Sequence, residues 1–341
     1  MKNIIIPSAA LIAAVISIES CTKQEIADPV VPRPAPAVAD AQTYSLSVNL
    51  NVGEQVRTKA SKEAAIDTVR SVQIFVFDES RKDSIETYFY KMTKVGQPAA
   101  SDSLRLTAGK KKIRVLANAP EIGGKIGCLK DLEACTCEFG INTTESFVMS
   151  GGKEMELTKD SSVEVTVNRI VAKIVLKKLT VDFDAEVYDK MTFTLKDIYL
   201  TNVAYCAKYY GGEYVPGQGQ EAQTWKNGLE YALTKETGLN VGLSYDDEVA
   251  YDVDHIFYCY PNSDKNHPTR LVLKTSLDKA TYYYPIEIGA IESNKVYTIT
   301  DLKITRPGSD DPDVPVISQM FPYNITVGDW DDDVNEIQEI I

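Results

Sequence analysis

The chain has 341 residues, a hydrophobic content of 44% and a formal net charge of −13. This length fits two domains of ordinary size or one large β-sandwich, and the hydrophobic content excludes a disordered protein. The acidic balance, without a long Lys/Arg cluster, argues against nucleic acid and anionic membrane surfaces as partners. With 19 tyrosines and only 2 histidines, the composition favours β-structure and surface contact over acid–base chemistry.

The first residues have the pattern of an export signal. A lysine precedes an apolar run, Ile4–Ile18, that is interrupted by Pro7 and is too short to span a bilayer. Cys21 follows a small residue at the end of this run, as in a bacterial lipoprotein signal. We therefore predict a signal peptide over residues 1–20 and a Cys21 thiol that carries fatty acyl chains such as palmitate, with an ordinary signal peptide as the alternative. The Pro/Ala-rich segment Thr22–Ala41 is predicted to be a tether.

The next segment has the cleanest strand pattern in the chain. Polar residues alternate with five apolar ones, which are Tyr44, Leu46, Val48, Leu50 and Val52. Such alternation predicts a strand with one face on a core and the other in water. The apolar face represents on the order of 10 kcal/mol of gross burial energy. A polar run that contains Arg57 follows directly.

Strand patterns continue through the first half. Ser71–Asp78 is partly apolar on both of its faces and is therefore predicted to be a central strand. The segment "ETYFYKM" is predicted to be the next strand. Ser103–Pro120 predicts two strands around a turn at Ala108–Lys110, with Ile113, Val115 and Ala117 on one face. "IGCLKDLEACTCEF" is the best helical segment of this half.

A long segment, Ser161–Phe183, changes its alternation phase between Val167 and Ile170. A strand that leaves one sandwich, bends at Asn168–Arg169 and enters a second would have this pattern. We therefore place a domain boundary there, within about ten residues either way.

The second half repeats the strand patterns. Polar loops are predicted at Gly211–Gly228 and Pro307–Val316, and an acidic tail ends the chain. The predicted architecture is all-β, with two tandem sandwiches and few short helices. Its strands lie within Met191–Ala204, His255–Pro261, Thr269–Leu277, Ala280–Ile288, Lys295–Thr305 and the terminal "PYNITVGDW".

The sequence has no pattern of catalytic residues. His255 precedes a strand and is predicted to be a strand-edge residue, whereas His267 lies in a polar loop and is predicted to be exposed. G-x-S-x-G, H-E-x-x-H, Walker and dinucleotide motifs are all missing, and Gly151-Gly152 lacks the helix that such a motif needs. The acidic runs lack the ligand spacing of an EF-hand. We predict no enzyme activity, no cofactor and no metal.

The cysteines leave one question open. Export permits a disulfide, and an odd number of cysteines after Cys21 leaves at least one unpaired. A bridge within the group Cys128, Cys135 and Cys137 is one alternative, and free thiols are the other. Their spacing is wrong for zinc. Cys206 and Cys259 lie in aromatic strand-like runs and are predicted to be core residues.

The order of several segments resembles one known family. "QVRTKA" is followed by "VRSVQIFVFD", "KKIRVLANAP", "VNRIVAKIVLKKL" and a terminal "ITVGDW", all behind the lipoprotein-type signal. This order is similar to that of the fimbrillins of Bacteroidia, the subunits of type V pili. The resemblance implies two transthyretin-like β-sandwiches and export as a lipoprotein. It also implies removal of an N-terminal segment by an arginine-specific protease, after which a C-terminal strand of the next subunit fills the vacated groove.

Carried onto this sequence, the resemblance places the cut between Arg57 and Thr58. Arg33 precedes a proline, which blocks most proteases, and Arg70 lies too close to the predicted central strand. The implied domains are a signal peptide (1–20), a propeptide with the removable strand (21–57), an N-terminal sandwich (58–168) and a C-terminal sandwich (169–341). The removable strand carries Tyr44, Leu46, Val48, Leu50 and Val52, and the donor strand carries Tyr323, Ile325, Val327 and Trp330.

The implied partners are other copies of the chain, related pilins, the protease and the lipoprotein export machinery. A terminal strand favours a stalk subunit over a tip, and an anchor would keep its lipid. The alternative from another class is a lipid-anchored surface protein that binds glycans. Its site would use aromatic residues of the polar loop region, namely Tyr209, Tyr210, Tyr214 or Trp225.

Overall fold

Alternating apolar residues produce a chain that is built almost entirely from β-strands. The computed structural model describes residues 42–52, 68–93, 100–188, 190–210, 225–226, 229, 231–243, 254–314 and 323–330. Its one α-helix in these ranges is α1 (Leu129–Ala134). The prediction of an all-β fold with few short helices is confirmed. No helix within the described ranges is both long enough and apolar enough to cross a membrane.

The strands of the first half follow the sequence pattern closely. They are β1 (Thr43–Val52), β2 (Ser71–Asp78), β3 (Ser84–Met92), β4 (Leu104–Thr107), β5 (Gly109–Ala117), β6 (Thr136–Glu138), β7 (Met149–Leu157) and β8 (Ser161–Arg169). Short 3-10 turns lie at Glu79–Arg81, Gly123–Lys125 and Phe139–Ile141. Helix α1 begins after Cys128, where the Asp131 carboxylate accepts a hydrogen bond from the backbone N–H of Cys128 (2.9 Å) and so caps the first turn. The helix ends before Cys135.

The second half continues with short and long strands and one 3-10 turn, at Ala232–Thr234. Its strands are β9 (Ala172–Leu176), β10 (Leu179–Val181), β11 (Phe193–Thr201), β12 (Val203–Ala204), β13 (Cys206–Lys208), β14 (Trp225–Lys226), β15 (Lys235–Leu243), β16 (His255–Cys259), β17 (Arg270–Leu277), β18 (Ala280–Glu287), β19 (Lys295–Ile304) and β20 (Tyr323–Asp329).

A seven-stranded sheet with the order β3-β2-β5-β7-β8-β1-β4 forms the first half. It folds over a core to which β1, β2, β4, β5, β7 and β8 all contribute buried side chains. The strands β7 and β8 approach closely at Gly151, where an added Cβ would lie 2.0 Å from the carbonyl oxygen of Thr166. Only glycine permits this approach, and beyond it β7 continues beside β5 while β8 continues beside β1.

The strand β2 confirms the prediction of a central strand that is buried on both faces. All eight of its residues are buried. Ile74 and Val76 contribute to the core of the seven-stranded sheet. Phe75 and Phe77 lie on the other face and pack in a separate aromatic cluster with α1 and with residues of the second half.

The second half forms a sandwich of two sheets. One has the order β10-β19-β9-β16 with β20 paired to β19, and the other has the order β15-β11-β17-β18. Buried side chains of both sheets, among them Ile174, Phe257 and Ile299 from the first and Leu195 and Leu271 from the second, form one core. The interior between the two sheets is therefore mainly apolar.

The change of alternation phase coincides with the passage between the two halves. The strand β8 ends at Arg169 in the seven-stranded sheet, and β9 begins at Ala172 in a sheet of the second half. Ile170 and Val171 lie between them and are both buried in the aromatic cluster. The residue limits of the two proposed sandwich domains stay a prediction.

Two local expectations are confirmed, and the structure adds a contact to each. The strands β4 and β5 are neighbours in sequence, but β4 pairs with β1 whereas β5 pairs with β2 and β7. His255 does begin a strand at the end of its sheet, but only 2% of it is exposed, and its Nδ1 lies 2.6 Å from a carboxylate oxygen of Glu236. His267 is half exposed, as predicted.

Candidate functional site

The strand β1 lies inside the sheet rather than at its edge. It pairs in parallel with β8, from Leu46 opposite Ser161 to Val52 opposite Val167. It pairs antiparallel with β4, from Thr43 opposite Thr107 to Leu46 opposite Leu104. A strand with two hydrogen-bonded neighbours fills a groove between them, so removal of β1 would expose the edges of both β8 and β4.

The apolar face of β1 lies on the core of the first half. Leu46 and Val48 are fully buried (0% exposed). Tyr44, Leu50 and Val52 are half-buried and pack against the same core. Burial is thus deepest at the middle of the strand, where the hydrophobic effect contributes about 1.5–3 kcal/mol for each large side chain.

Polar contacts fix the register of β1. The backbone N–H of Ser45 donates to a carboxylate oxygen of Asp160 (2.8 Å). The N–H of Val48 donates to the Ser101 hydroxyl, and the N–H of Ser101 donates to the carbonyl oxygen of Val48, both at 2.9 Å. A register slip of one residue would turn the apolar face of β1 outward, so core packing and these hydrogen bonds both stabilise the observed register.

The predicted lipidation and cleavage residues cannot be placed. Cys21, Arg57 and Thr58 lie outside the described residues. The rejected cleavage position, Arg70, is described. Its N–H donates to the side-chain oxygen of Asn118 (2.7 Å), and its carbonyl oxygen accepts from the N–H of Thr93 (2.9 Å). Although the Arg70 side chain is half exposed, a protease needs extended backbone at the bond that it cuts, and this backbone is engaged in hydrogen bonds.

The strand β20 occupies a very different position. It pairs antiparallel with β19, where Val296–Ile299 also pair with β9 on the opposite side. In the part of the chain that the structure describes, β20 has no second neighbour. It is therefore an edge strand of the second half.

The side chains of β20 are less buried than those of β1. Ile325 is half-buried and packs against the core of the second half. Val327 is 59% exposed. Tyr323 begins the strand and pairs through its backbone with Leu302. The alternation in the sequence is therefore present, but little of this apolar face is used within the chain.

Trp330 follows β20 and packs away from both sheet cores. Its ring stacks on Tyr258 with a centroid distance of 5.7 Å and meets Phe147 edge-on at 5.9 Å. The Arg169 guanidinium lies over the same ring, 4.7 Å from its centroid. Because Phe147 precedes β7 and Tyr258 lies in β16, the end of the terminal strand is held between the two halves.

Of the aromatic residues proposed for glycan binding, Tyr209 and Tyr210 are the two whose side chains the structure describes. Tyr209 is 3% exposed, and the Tyr210 hydroxyl donates to the carbonyl oxygen of Val115 (2.8 Å). Burial raises the pKa of both phenols. Tyr214 lies outside the described residues, and Trp225 lies in β14. The structure therefore contradicts a sugar platform on Tyr209, whose ring is buried, whereas Tyr210 is half-buried and has its hydroxyl engaged.

The five described cysteines are all free. Cys259 is fully buried as predicted, whereas Cys206 is only half-buried, which corrects its assignment to a core. Burial raises the pKa of Cys259 to about 12 and that of Cys206 to about 11. Thiols with such pKa values are protonated at neutral pH and react poorly. Among the described residues, no group of three or more His, Cys, Asp or Glu side chains could hold a metal ion.

The first half contains a buried charge cluster that was not predicted from the sequence. Lys111 is 1% exposed and contacts Asp78 and Glu86. The triple lysine at 110–112 resembles a solvated run. However, Lys111 has the same alternation phase as Ile113, Val115 and Ala117, and this phase was the signal that it points inward.

The fold is similar to that of several solved structures of Bacteroidales proteins. A candidate cell adhesion protein from Bacteroides eggerthii has a TM-score of 0.60 and 18% identity, over 85% of this chain and 97% of its own. The fimbrilin FimA from Porphyromonas gingivalis has a TM-score of 0.57 and 16% identity, over 84% and 97%. The tip fimbrial protein Mfa3 from the same species has a TM-score of 0.50 and 14% identity, over 85% and 100%.

A scan against protein-family models finds no match, and a search of curated proteins finds none either. The likeness to the solved structures therefore concerns the fold. It covers nearly the whole length of the two solved fimbrial chains, of which that of Mfa3 is truncated at its C-terminus, so both halves of this chain have counterparts in them.

Proposed function

We propose that this chain is a fimbrillin-type structural subunit of a cell-surface pilus that serves adhesion. In this proposal the precursor is an outer-membrane lipoprotein that carries its lipid at Cys21. An arginine-specific protease cuts between Arg57 and Thr58, and the mature subunits polymerise head to tail by β-strand exchange. The observation that carries the proposal is the position of β1, which fills a groove between β8 and β4 at the N-terminal end of the described chain. The fold shared with fimbrial proteins supports it.

The groove explains why β1 would be both well patterned and removable. Loss of β1 would leave the inward-facing positions of Leu46 and Val48 empty and would expose backbone groups of β8 and β4. An exposed apolar groove with free strand edges binds other strands. A strand that stays in place until the subunit reaches the surface would prevent early association.

The terminal strand β20 is the proposed donor. Tyr323, Ile325 and Val327 repeat the spacing of apolar residues found in β1. The exposed Val327 and the presence of one neighbour of β20 among the described strands support a strand that can exchange its own edge for a groove in another copy. Because groove and donor lie in different halves of the chain, the contact is head-to-tail, and it gives a filament when the rotation between successive subunits does not close a ring.

This arrangement favours a stalk subunit. A stalk subunit needs both a groove and a donor strand, and this chain offers candidates for both. An anchor subunit would keep the lipid on Cys21 and the segment that follows it. Sequencing the N-terminus of the protein extracted from the cell surface distinguishes the two, since a stalk starts at Thr58 and an anchor or an anchored binder starts at Cys21.

The cleavage step is tested with Arg57→Ala. We expect the variant precursor to be exported and folded but to remain monomeric. The matched control is Arg33→Ala, which should polymerise like the wild type because the peptide bond after Arg33 precedes a proline. Normal surface filaments from Arg57→Ala would show that this assignment of the cut is wrong.

The donor strand is tested by deleting residues 323–341. We expect a folded monomer that accepts a strand from another copy but cannot extend the chain. Mixing it with the wild type should shorten filaments in proportion to the fraction added, measured by electron microscopy. Filaments of normal length from the truncated protein alone would exclude β20 as the donor.

A further inference from the structure

The buried charge cluster of the first half connects β3 and β4, two strands with no ladder between them in the described structure. We define the Lys111 network as Lys111 in β5, Asp78 at the end of β2, Glu86 in β3 and Thr107 at the end of β4. The Lys111 ammonium donates to Asp78 (2.9 Å), Glu86 (2.6 Å) and the Thr107 hydroxyl (2.9 Å). The side chains of Lys111, Asp78 and Glu86 are 0%, 5% and 8% exposed.

The network bridges the two ends of the seven-stranded sheet. Among the described strands, β3 has its ladder with β2, and β4 has its ladder with β1. The seam between β3 and β4 is crossed instead by Glu86. One oxygen of its carboxylate accepts from the backbone N–H of Thr107 (2.6 Å) and from the Thr107 hydroxyl (2.8 Å). On the side of Thr107 that faces away from β1, the Glu86 carboxylate thus takes the place of a strand partner.

The lysine makes this arrangement possible. Two carboxylates this deeply buried would be strongly destabilising without a positive charge between them. Burial by itself raises the pKa of Asp78, but hydrogen bonds from Ser80 and Lys111 and the Lys111 charge outweigh this and lower the pKa to about 2. Arg81 lies 3.4 Å from the same carboxylate and balances the remaining negative charge. Asp78 therefore stays ionised at neutral pH and holds Lys111 in position.

The position of β4 gives the network a consequence for assembly. If β1 leaves, β4 loses all four of its paired residues, from Thr43 opposite Thr107 to Leu46 opposite Leu104. Its remaining supports in the described structure are the buried side chains of Leu104 and Leu106 and the hydrogen bonds of Thr107. Without these supports, β4 would become mobile once it had lost its ladder with β1. The incoming strand would then have to order β4 again, at a cost in conformational entropy.

We propose that the Lys111 network is a positioning device that keeps β4 in place while the groove is empty. This inference rests on the proposed strand exchange and adds to it the residues that preserve the acceptor groove. An incoming strand then meets both of its neighbours, β8 and β4, already ordered. The residue that transmits the support to the groove is Thr107, since it pairs with β1 and also contacts Glu86 and Lys111.

The main test is Glu86→Met in the full-length precursor, cut in vitro with an arginine-specific protease. This substitution removes the acceptor for Thr107 but leaves Lys111 paired with Asp78, so no buried charge is orphaned. In the uncut precursor, β1 still pairs with β4, and the amides of Leu104, Arg105 and Leu106 should exchange hydrogen as in the wild type. The Thr107 amide is not used as a readout, because it loses its own acceptor in the variant before the cut. After the cut, we expect the other amides of β4 to exchange faster by about tenfold or more, the factor expected from losing a hydrogen bond to a charged group. The filament growth rate should fall by a similar factor.

The matched control is Lys112→Met. Lys112 is the next residue of β5 and pairs with Asp83 at 2.9 Å, but this pair contacts no residue of β4. We expect wild-type exchange and wild-type filament growth. If Glu86→Met does not fold, Thr107→Val removes only the hydroxyl and should have a smaller effect in the same direction.

The outcomes separate this inference from the proposed function. If the cut wild-type protein does not form filaments, the proposed function is wrong, and the exchange of β4 in that cut protein still compares variant with wild type. If the wild type assembles and Glu86→Met matches it in β4 exchange and in filament growth, the network does not position β4. Equal slowing by Lys112→Met would also overturn the inference, because the effect would then come from general loss of charge.

Discussion

The strands β1 and β20 have the same alternation of apolar and polar residues but occupy opposite kinds of position. The strand β1 lies between two neighbours and buries Leu46 and Val48 completely. The strand β20 lies at an edge, has one described neighbour and leaves Val327 exposed. A strand pattern therefore states which face is apolar but not how much of that face the fold uses.

This difference has an energetic meaning. Burial contributes free energy in proportion to the apolar area removed from water. On that measure β1 is firmly held by its own chain, whereas β20 keeps unused apolar surface at its outer end. The strand with unused surface gains more from moving to a deep groove, and the groove that β1 fills is of that kind. Four experiments test the roles of these two strands and of the Lys111 network.

The largest effect is expected from Val327→Asp on filament formation. Because Val327 is 59% exposed in the single chain, the free energy of unfolding of the monomer should change by no more than about 0.5 kcal/mol. In a neighbour's groove the same carboxylate would be buried without a partner, so filament growth should stop. Electron microscopy of the cut protein measures this. Asn324→Asp places the same charge on the opposite face of β20 and serves as the control, and normal filaments from Val327→Asp would remove β20 as the donor.

The second experiment is Leu46→Ala. Because Leu46 is fully buried, we expect the free energy of unfolding of the precursor to fall by about 3 kcal/mol, measured by urea denaturation. If β1 is removed with the cut segment, as proposed, the mature filament should be as stable as that of the wild type. Leu46→Met conserves volume and should cost less than about 1.5 kcal/mol. A destabilised mature filament would mean that β1 stays in the subunit.

The third experiment asks what holds β20 in the single chain. Trp330→Ala removes the ring contacts with Phe147, Tyr258 and Arg169. Because Trp330 is only half-buried, we expect a loss of about 2 kcal/mol, below the range for core aromatics. Hydrogen exchange should become faster in β20 and stay unchanged in β1, and Trp330→Phe should restore most of the protection. Equal loss of protection in both strands would indicate that Trp330 supports the whole fold.

The smallest effect is expected from acid. Since the pKa of Asp78 is lowered to about 2 from its ordinary value of 3.8, its charge stabilises the fold above about pH 4. This contribution, at most about 2 kcal/mol, should be lost as the pH falls towards 2. Urea denaturation of the precursor at several pH values measures it. The loss should be smaller in Asp78→Asn, and an identical pH dependence in that variant would contradict the role given to Asp78.

Much of the fold was predictable because burial follows alternation. The segment Ser71–Asp78 was expected to be central and is buried throughout. A helix was expected within "IGCLKDLEACTCEF", and α1 forms part of this segment, between Cys128 and Cys135. The inward direction of Lys111 is also encoded in its alternation phase with Ile113.

The candidate site was predictable only in part. The sequence marked β1 as a patterned strand, but its parallel pairing with β8 joins residues more than a hundred positions apart, as Leu46 and Ser161 do. No local signal encodes such a pairing, because it depends on how the sheet folds over its core. The same holds for β4, which joins β1 rather than its sequence neighbour β5.

The sequence by itself determined where strands begin and which of their faces are apolar, because the alternation of side chains is a local property of the chain. The tertiary structure decided which of two similar strands fills a groove and which lies at an edge, because those positions depend on strand order. It also decided that a lysine could be buried, because Lys111 in β5 meets carboxylates from β2 and β3 and a hydroxyl from β4 only after the sheet has formed.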